Sequence, residues 1–231
     1  MRTTTKILFL SFFILLSSQI QALPKAFSAS YTVQKSGMSL GTMQSTLSYQ
    51  NSQYHYHKKT TAKGLAAMLS GDVLIENSDG VVQGNEFISK RYLRHHTSKR
   101  KDKKDQFHFS SPTSVQGNFE NQPYTLNVPK NTTDLTSLEL RLMQGLETNK
   151  LSRQYNIVDR GKLKRYNVQK LGTETLDLPA GHFICEKIRI TKPDSNVQTI
   201  LWMAKDLNYF PVRIQHIDDG DVLEARLTSY N

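Results

Sequence analysis

The sequence predicts a mainly β protein, built as a curled antiparallel sheet (a half-barrel or open barrel) with one mid-chain amphipathic helix and a short helical turn. Apolar and polar residues alternate with a period of two along most of the chain, as they do in strands with one buried face. Gly, Pro and Asn-Ser or Asp-Gly pairs interrupt this alternation at short intervals, which is typical of hairpin connections. Only residues 135–146 show a clear apolar stripe at helical spacing.

Residues 1–22 have the organisation of a secretory signal peptide. Arg2 and Lys6 precede the unbroken apolar run 7–16, and small or polar residues follow as far as Ala22. The run is about half as long as the roughly 20 residues that span a bilayer, which favours cleavage over a retained anchor. We expect cleavage after Ala22, with Ala29 as the competing site, and a single β-rich periplasmic domain of residues 23–231. No cysteine lies near the cleavage site, so we expect a soluble product rather than a lipoprotein.

The composition is basic and poor in cysteine. Lys and Arg number 30 against 20 Asp and Glu, for a formal net charge of +10. Such a charge favours anionic partners such as lipid headgroups, lipopolysaccharide or acidic glycans, while export argues against nucleic acid. Cys185 is the only cysteine, so no internal disulfide can form and we expect no disulfide-linked partner. Its place in the alternating run 183–185 predicts a buried thiol.

The first half of the chain predicts a meander of strands with two interruptions. Residues 62–69 break the alternation and predict a short helical turn that ends near Gly71. Residues 98–105, dense in Lys and Asp, predict a charged and solvated hairpin tip. The predicted strands span residues 27–33, 43–49, 53–61, 73–75, 81–82, 87–97 and 106–109.

One helix is predicted after Pro129. Thr136 with Glu139 three residues later forms the pattern of a capping box, which would start the helix there. Its apolar stripe consists of Leu135, Leu138, Leu142 and Leu146. We expect this stripe to pack on the sheet, and a partner-facing or lipid-facing stripe is the alternative.

The second half of the chain predicts strand after strand. The predicted strands span residues 156–158, 163–171, 183–190, 199–203, 212–217 and 223–227. A sheet of this length must curl, split or close, because exposed edges are prone to pairing with other chains. With the helix between two blocks of strands, a sheet wrapped around or capped by that helix is the economical arrangement. Its concave face is where a ligand would bind.

Two motifs in this half resemble a known family. Residues 172–183 (GTETLDLPAGHF) match a G-x-E-x-L-x-x-P-A-G-x-F hairpin, and residues 201–214 (LWMAKDLNYFPVRI) match a W-x-A-x-D-x-x-x-x-P-V-R-I strand pair. With the strand 31–33 after a signal peptide and Gly37 and Gly41 in its first turn, the chain resembles the exported bacterial proteins of domain of unknown function family 3108 (DUF3108). The resemblance implies a periplasmic or outer-membrane-associated protein with a curled sheet, like that of the half-barrel lipoprotein carriers. It implies no activity and no catalytic residues.

The sequence predicts no catalytic residues, no metal ligands and no cofactor. His55 and His57 share one face of a predicted strand, but no further ligand completes a zinc pattern nearby. The densest basic region is the strand and hairpin around residues 90–104. The candidates for contact with an anionic ligand are Lys90, Arg91, Arg94, Lys99, Arg100, Lys101, Lys103 and Lys104.

These observations predict a non-enzymatic envelope protein that binds an amphipathic or anionic component, such as a lipid, a lipoprotein or a glycan, with peripheral membrane contact. A hydrolase acting on an envelope polymer is one alternative, with carboxylates or histidines gathered from distant strands. A structural or assembly partner of the outer membrane, using the helix or a sheet edge, is the other.

Overall fold

The computed structural model of this protein describes residues 23–193 and 195–231. The predicted signal peptide, residues 1–22, lies outside the described residues. The described chain forms one antiparallel sheet of 14 strands with two α-helices, α1 (Gly64–Leu69) and α2 (Leu135–Glu147). The predicted fold class, a curled antiparallel sheet with one mid-chain helix and a short helical turn, is therefore confirmed.

The strands follow one another along the chain as a meander, and their bounds are as follows. They are β1 (Phe27–Lys35), β2 (Met38–Gln50), β3 (Gln53–Ala62), β4 (Val73–Gln83), β5 (Glu86–Thr97), β6 (Asp102–Ser111), β7 (Ser114–Phe119), β8 (Gln122–Asn127), β9 (Gln154–Asp159), β10 (Lys162–Leu178), β11 (Gly181–Thr191), β12 (Gln198–Ala204), β13 (Phe210–Asp218) and β14 (Asp221–Tyr230).

The two halves of the chain meet at the centre of the sheet. β1 pairs with β2 on one side and with β14 on the other, so the spatial order runs from β8 back to β1 and then from β14 back to β9. Apart from the β1–β14 pair, neighbouring strands are joined directly along the chain. α1 connects β3 to β4, and α2 connects the two edge strands, β8 and β9.

The sheet curls until its two ends approach each other. The Arg160 amide, in the β9–β10 turn, donates to Asp105 Oδ2 of β6 at 2.7 Å. Gly161 follows with φ of +66° and lies against the Tyr124 ring of β8, where a Cβ atom would come within 3.1 Å of that ring. Thr133 covers the free edge of β9 through an isolated parallel bridge to Ile157. β8 and β9 are not paired with each other, so the described sheet is not a closed barrel.

α2 lies inside this curl and is buried on most sides. Leu138, Leu142 and Leu146 of the predicted stripe are buried, and so are Leu140 and Met143 outside it. The stripe packs on the sheet as expected. The alternative of a partner-facing stripe is wrong, because the sheet covers this face of the helix.

The predicted cap of α2 is wrong by two residues. Asp134 is the N-cap, and its carboxylate accepts from the backbone amides of Thr136 and Ser137. Ser78 of β4 also donates to Asp134, at 2.8 Å, so the helix start is attached to the sheet. Because Asp134 caps the helix, Glu139 does not bond to the helix start and instead contacts a residue of β3.

The strand prediction failed in three places. Residues 73–83 form one strand rather than two, because the polar stretch between its apolar ends pairs with β3 along one edge and with β5 along the other. The solvated hairpin tip is only residues 98–101, and Asp105 is a buried strand residue, 2 % exposed. β7 and β8 were not predicted, since their sequences are short and mostly polar.

Most predicted structural residues lie where their pattern placed them. Tyr54 and Tyr56 are buried inside the curl, while His55 and His57 share the outer face and pair with Asp79 and Asn77 opposite them on β4. Cys185 is buried, and this burial raises the pKa of its thiol to about 12. Such a thiol is a structural apolar group rather than a nucleophile.

Trp202 is buried for a reason that the sequence did not show. It is 2 % exposed, yet it pairs across the sheet with Lys187 and Arg213, on the face opposite to the inward Leu201. Lys187 Nζ lies 4.7 Å and Arg213 Cζ 4.4 Å from the ring centroid. The two cations therefore cover the indole on the outer face through cation–π contacts.

Candidate ligand-binding cavity

The curl of the sheet leaves a cavity beside the first turns of α2. Its volume is about 410 Å³, within the roughly 300–1,000 Å³ of typical small-ligand pockets. Because side chains alternate along each strand, most of its wall is formed by inward positions of the strands. Its walls come from both halves of the chain, which the β1–β14 pair brings together.

Much of the cavity wall is apolar. Inward residues from seven strands and from α2 contribute aliphatic side chains to it. These are Val33, Met43, Leu74, Leu138, Ile190, Leu201, Ile214, Leu223 and Ala225. Such a wall suits the hydrocarbon part of a ligand, since moving apolar surface out of water is favourable.

A buried ion pair forms part of the wall. Lys58 of β3 and Glu139 of α2 are in direct contact, with side chains only 10 % and 15 % exposed. Tyr56 also donates its hydroxyl to Glu139 Oε2 at 2.7 Å. Burial opposes the charge of Lys58, but the carboxylates of Glu139 and Glu76 outweigh burial and raise its pKa. Lys58 therefore stays charged at neutral pH.

A second polar cluster lies on β4 and β5. Arg94 Nε is 3.6 Å from Glu76 Oε1, which also accepts the Tyr92 hydroxyl at 3.1 Å. Arg94 and Glu76 both line the cavity. The two residues are register partners, so the pairing of β4 with β5 places their side chains side by side.

Two cations, Arg160 and Lys192, lie at the mouth of the cavity together with the carboxylate of Asp159. His216 lines the mouth as well, but burial lowers the pKa of its imidazole, so it adds no positive charge at neutral pH. Asp159 Oδ2 accepts from Lys164 at 2.5 Å. Lys192 Nζ lies 5.3 Å from the centroid of the Tyr166 ring, and burial lowers its pKa. An anionic group here would stabilise the charged form of Lys192.

Two buried hydroxyls on the cavity wall have no hydrogen-bond partner within the described part of the chain. They are Thr136 Oγ1 and Tyr166 OH, whose residues are 2 % and 5 % exposed. Burial, and then the nearby charge of Asp159, raise the pKa of Tyr166, although the hydroxyl makes no hydrogen bond of normal geometry to that carboxylate. Buried polar groups are nearly always paired, so these two hydroxyls are exceptions in the wall of the cavity.

The predicted anionic-ligand residues do not form one site. Arg94 alone reaches the cavity. Arg91 and Lys103 pair with Asp79 and Glu120, at 3.5 Å and 2.9 Å. The remaining candidates are exposed on the strand and turn outside the cavity, and they are Lys90, Lys99, Arg100, Lys101 and Lys104.

Sequence reasoning missed most of the cavity residues, because they are single positions on distant strands. Lys58 carried a usable signal: it continues the inward alternation of Tyr54 and Tyr56, and a lysine at such a position requires a buried partner. Glu139, Thr136 and the mouth residues carried no comparable signal. Among the residues that the structure describes, no group of three or more His, Cys, Asp or Glu is placed to hold a metal ion.

Comparison with known proteins now places the chain in a family. The family model described as a protein of unknown function (DUF3108) matches residues 26–228, from just before β1 to within β14. The chain belongs to the DUF3108 family. The resemblance drawn from the two C-terminal motifs is therefore confirmed. No curated protein matches the sequence.

Two solved structures are similar to this DUF3108 protein. One is a β-barrel-like protein of domain of unknown function DUF1849 from Brucella abortus, at 10 % identity with a TM-score of 0.64, covering 92 % of this chain and 98 % of that one. It shows that the curled sheet is a known fold. The other is a candidate lipoprotein from Parabacteroides distasonis, at 10 % identity with a TM-score of 0.35, covering 91 % and 98 %. Within the described residues, no helix is long and apolar enough to cross a membrane.

Proposed function

We propose that this DUF3108 protein is a non-enzymatic binding protein of the bacterial envelope, which takes the apolar part of an amphipathic ligand into the cavity beside α2. The supporting observation is the combination of an aliphatic wall with two buried, unpaired hydroxyls, Thr136 Oγ1 and Tyr166 OH. An acyl chain would lie against the wall, and the polar groups that join it to a headgroup would accept from these hydroxyls. The cations at the mouth would face an anionic headgroup.

The proposed function includes export to the periplasm. Residues 1–22 would direct the chain to the periplasm and be removed after Ala22. Cleavage at the competing site after Ala29 would remove Phe27 from β1, where its ring packs 4.6 Å from that of Phe210. Loss of this core contact makes Ala22 the better site. Intact mass of the protein recovered from the periplasm reads the mature N-terminus directly.

The ligand class is tested by native mass spectrometry of the same material, followed by organic extraction. We expect a co-purifying amphiphile whose mass disappears from the protein after extraction. The extracted protein should then bind a fluorescent fatty acid such as cis-parinaric acid.

Two adjacent threonines of β3 supply a matched pair of variants. Thr60 lines the cavity and Thr61 points to the opposite face of the same strand. Thr60→Trp should fill the cavity and reduce probe binding at least tenfold, whereas Thr61→Trp should leave it unchanged. A clean apo mass together with equal probe binding by the two variants would rule the proposal out. Thermal melting of both variants identifies any loss of binding that comes from unfolding.

A further inference from the structure

The most exposed apolar side chains of the described chain are gathered at one end of the sheet. Met38, Leu65, Met68 and Leu69 are 67 %, 77 %, 70 % and 79 % exposed, and the next most exposed large apolar residue of the described chain is Ile184, at 46 %. Three belong to α1, which has no buried residue. Met38 begins β2, two residues before Leu40, whose carbonyl accepts the Lys63 amide at the start of α1 at 2.8 Å. We call these four residues the rim patch.

Positive charge surrounds the rim patch. The β5–β6 turn is attached to the end of α1, since the Lys99 amide donates to the Ser70 carbonyl at 2.9 Å and its ammonium contacts the Met68 carbonyl. Lys63, Lys99, Arg100 and Lys101 are all exposed, and none forms an ion pair within the described part of the chain. We call these four residues the rim cations.

The acidic side chains nearby are two, against the four rim cations. Asp72 and Asp102 are the carboxylates on the same connections, and each is hydrogen-bonded to a histidine. His96 Nε2 lies 2.8 Å from Asp72, and His95 Nε2 lies 2.7 Å from Asp102. The surface therefore combines projecting aliphatic side chains with an excess of basic over acidic side chains.

The rim patch borders the mouth of the cavity. Thr60 and Leu74 are register partners that line the cavity, and they stand immediately before and after the connection that contains α1. Arg94, also on the cavity wall, stands three residues before the end of β5. A surface that held the rim patch would therefore lie next to the opening.

We propose that the rim patch and the rim cations dock the protein on an anionic lipid bilayer, with the cavity mouth next to the membrane. Aliphatic side chains on a short surface helix enter the boundary between headgroups and acyl chains, and lysines beside them attract anionic headgroups. The absence of buried residues in α1 fits insertion into lipid better than docking into a shaped protein groove. The proposal concerns a partner surface and holds whether or not the cavity binds an acyl chain.

Vesicle flotation tests the proposal with the exported form of the protein, whose N-terminus is verified by intact mass. Vesicles of phosphatidylcholine alone are compared with vesicles that also contain phosphatidylglycerol. We expect the protein to float with the anionic vesicles and to be released by salt, because the attraction between exposed charges is screened.

Two variants locate the contact. Leu65→Ser/Met68→Ser/Leu69→Ser should reduce partitioning at least tenfold, while the control Leu163→Ser/Leu171→Ser/Ile184→Ser, on exposed apolar residues of β10 and β11, should leave it unchanged. Lys63→Ser/Arg100→Ser/Lys101→Ser should also reduce it at least tenfold, since each cation near an anionic surface contributes roughly fivefold. Its control is Lys130→Ser/Lys150→Ser/Arg153→Ser, which removes the same charge from exposed residues of the connections around α2, at the other end of the sheet.

The outcomes separate the alternatives. Equal losses in the rim-cation variant and its control would show general attraction of a basic protein and overturn the proposal. Dimers in solution that dissociate in the α1 variant would assign the patch to a second copy of the chain and overturn it as well. Because no residue of α1 is buried, the variants should melt within a few degrees of the wild type.

Discussion

Removing one member of the Lys58–Glu139 ion pair leaves a charge inside the protein without its partner. Their side chains are 10 % and 15 % exposed, so water replaces the lost contact only poorly. At an effective dielectric constant near 20, two charges about 4 Å apart attract by roughly 4 kcal/mol. Breaking a buried pair from one side costs about 3–5 kcal/mol. We therefore expect Lys58→Met and Glu139→Gln each to lower the free energy of unfolding by about 3–5 kcal/mol.

The two single variants differ in what they leave behind. Glu139→Gln keeps an acceptor for the Tyr56 hydroxyl, and Lys58 keeps the more distant Glu76 as a partner. Its cost should therefore lie at the lower end of the range. In Lys58→Met, the Glu139 carboxylate keeps only the hydrogen bond from Tyr56 within the described part of the chain. The loss of free energy of unfolding should therefore lie at the upper end of the 3–5 kcal/mol range.

The double variant Lys58→Met/Glu139→Gln removes both charges and should come within about 1 kcal/mol of the wild type, since a neutral pair needs no compensation. The double-mutant cycle then gives a coupling energy of several kcal/mol. In a domain of this size each kcal/mol shifts Tm by about 2–4 °C, so each single variant should melt roughly 6–20 °C lower.

Urea denaturation of the lipid-extracted protein measures these differences, because a bound ligand would add its own stabilisation. Lys59→Met is the matched control: Lys59 neighbours Lys58 but is exposed, and its replacement should change the free energy of unfolding by about 0.5 kcal/mol or less. Single variants that match this control, with no coupling between them, would refute the reasoning. They would show that water reaches the pair through the cavity.

Two further predictions concern the sheet. Burial alone would raise the pKa of Glu224, but hydrogen bonds from Gln215, Arg213 and Gln34 outweigh burial and lower it. The charged carboxylate therefore stabilises the fold above its ordinary pKa of about 4.3, and this stabilisation is lost as the pH falls through the lowered pKa. Glu224→Gln should lower the free energy of unfolding by about 2 kcal/mol at pH 7 and reduce its decrease toward acid pH. Urea titrations at pH 7 and pH 3 measure both effects, and a pH dependence equal to that of the wild type would contradict this. Gly80→Ala would place a Cβ atom 2.2 Å from the Ile88 carbonyl oxygen and 2.5 Å from the Tyr54 ring, so we expect a loss of about 1–3 kcal/mol and a lower Tm in calorimetry. A Gly80→Ala variant as stable as the wild type would mean that β4 and β5 shift apart easily.

Local patterns in the sequence predicted the elements that depend on local physics. The inward alternation of β1 and the apolar stripe of α2 are visible because one buried face imposes a period of 2 on a strand and of 3.6 on a helix. Turn residues placed most strand ends within one to three positions. The two C-terminal motifs, together with the strand 31–33 and the glycines that follow it, indicated the DUF3108 family.

The same local patterns failed where a polar residue has a distant partner. The polar residues 76–80 of β4 lie outside the predicted strands, but Glu76 contacts Arg94 and Ser78 donates to Asp134, and these contacts keep the strand continuous. Thr136 and Glu139 resemble a capping box, but Asp134 caps the helix and Glu139 bonds to Lys58 across 81 residues of sequence.

The candidate site was decided only by the tertiary structure. The sequence by itself determined a basic chain, a period-two pattern that must form a curled sheet, and one helix between two blocks of strands. It did not determine that β1 and β14 pair, which brings the walls of the cavity together from both ends of the chain. A cavity consists of the inward side chains of strands that are far apart in sequence. The residue types can be read from the sequence, but which of them become neighbours depends on how far the sheet twists and curls. No local pattern encodes that twist and curl.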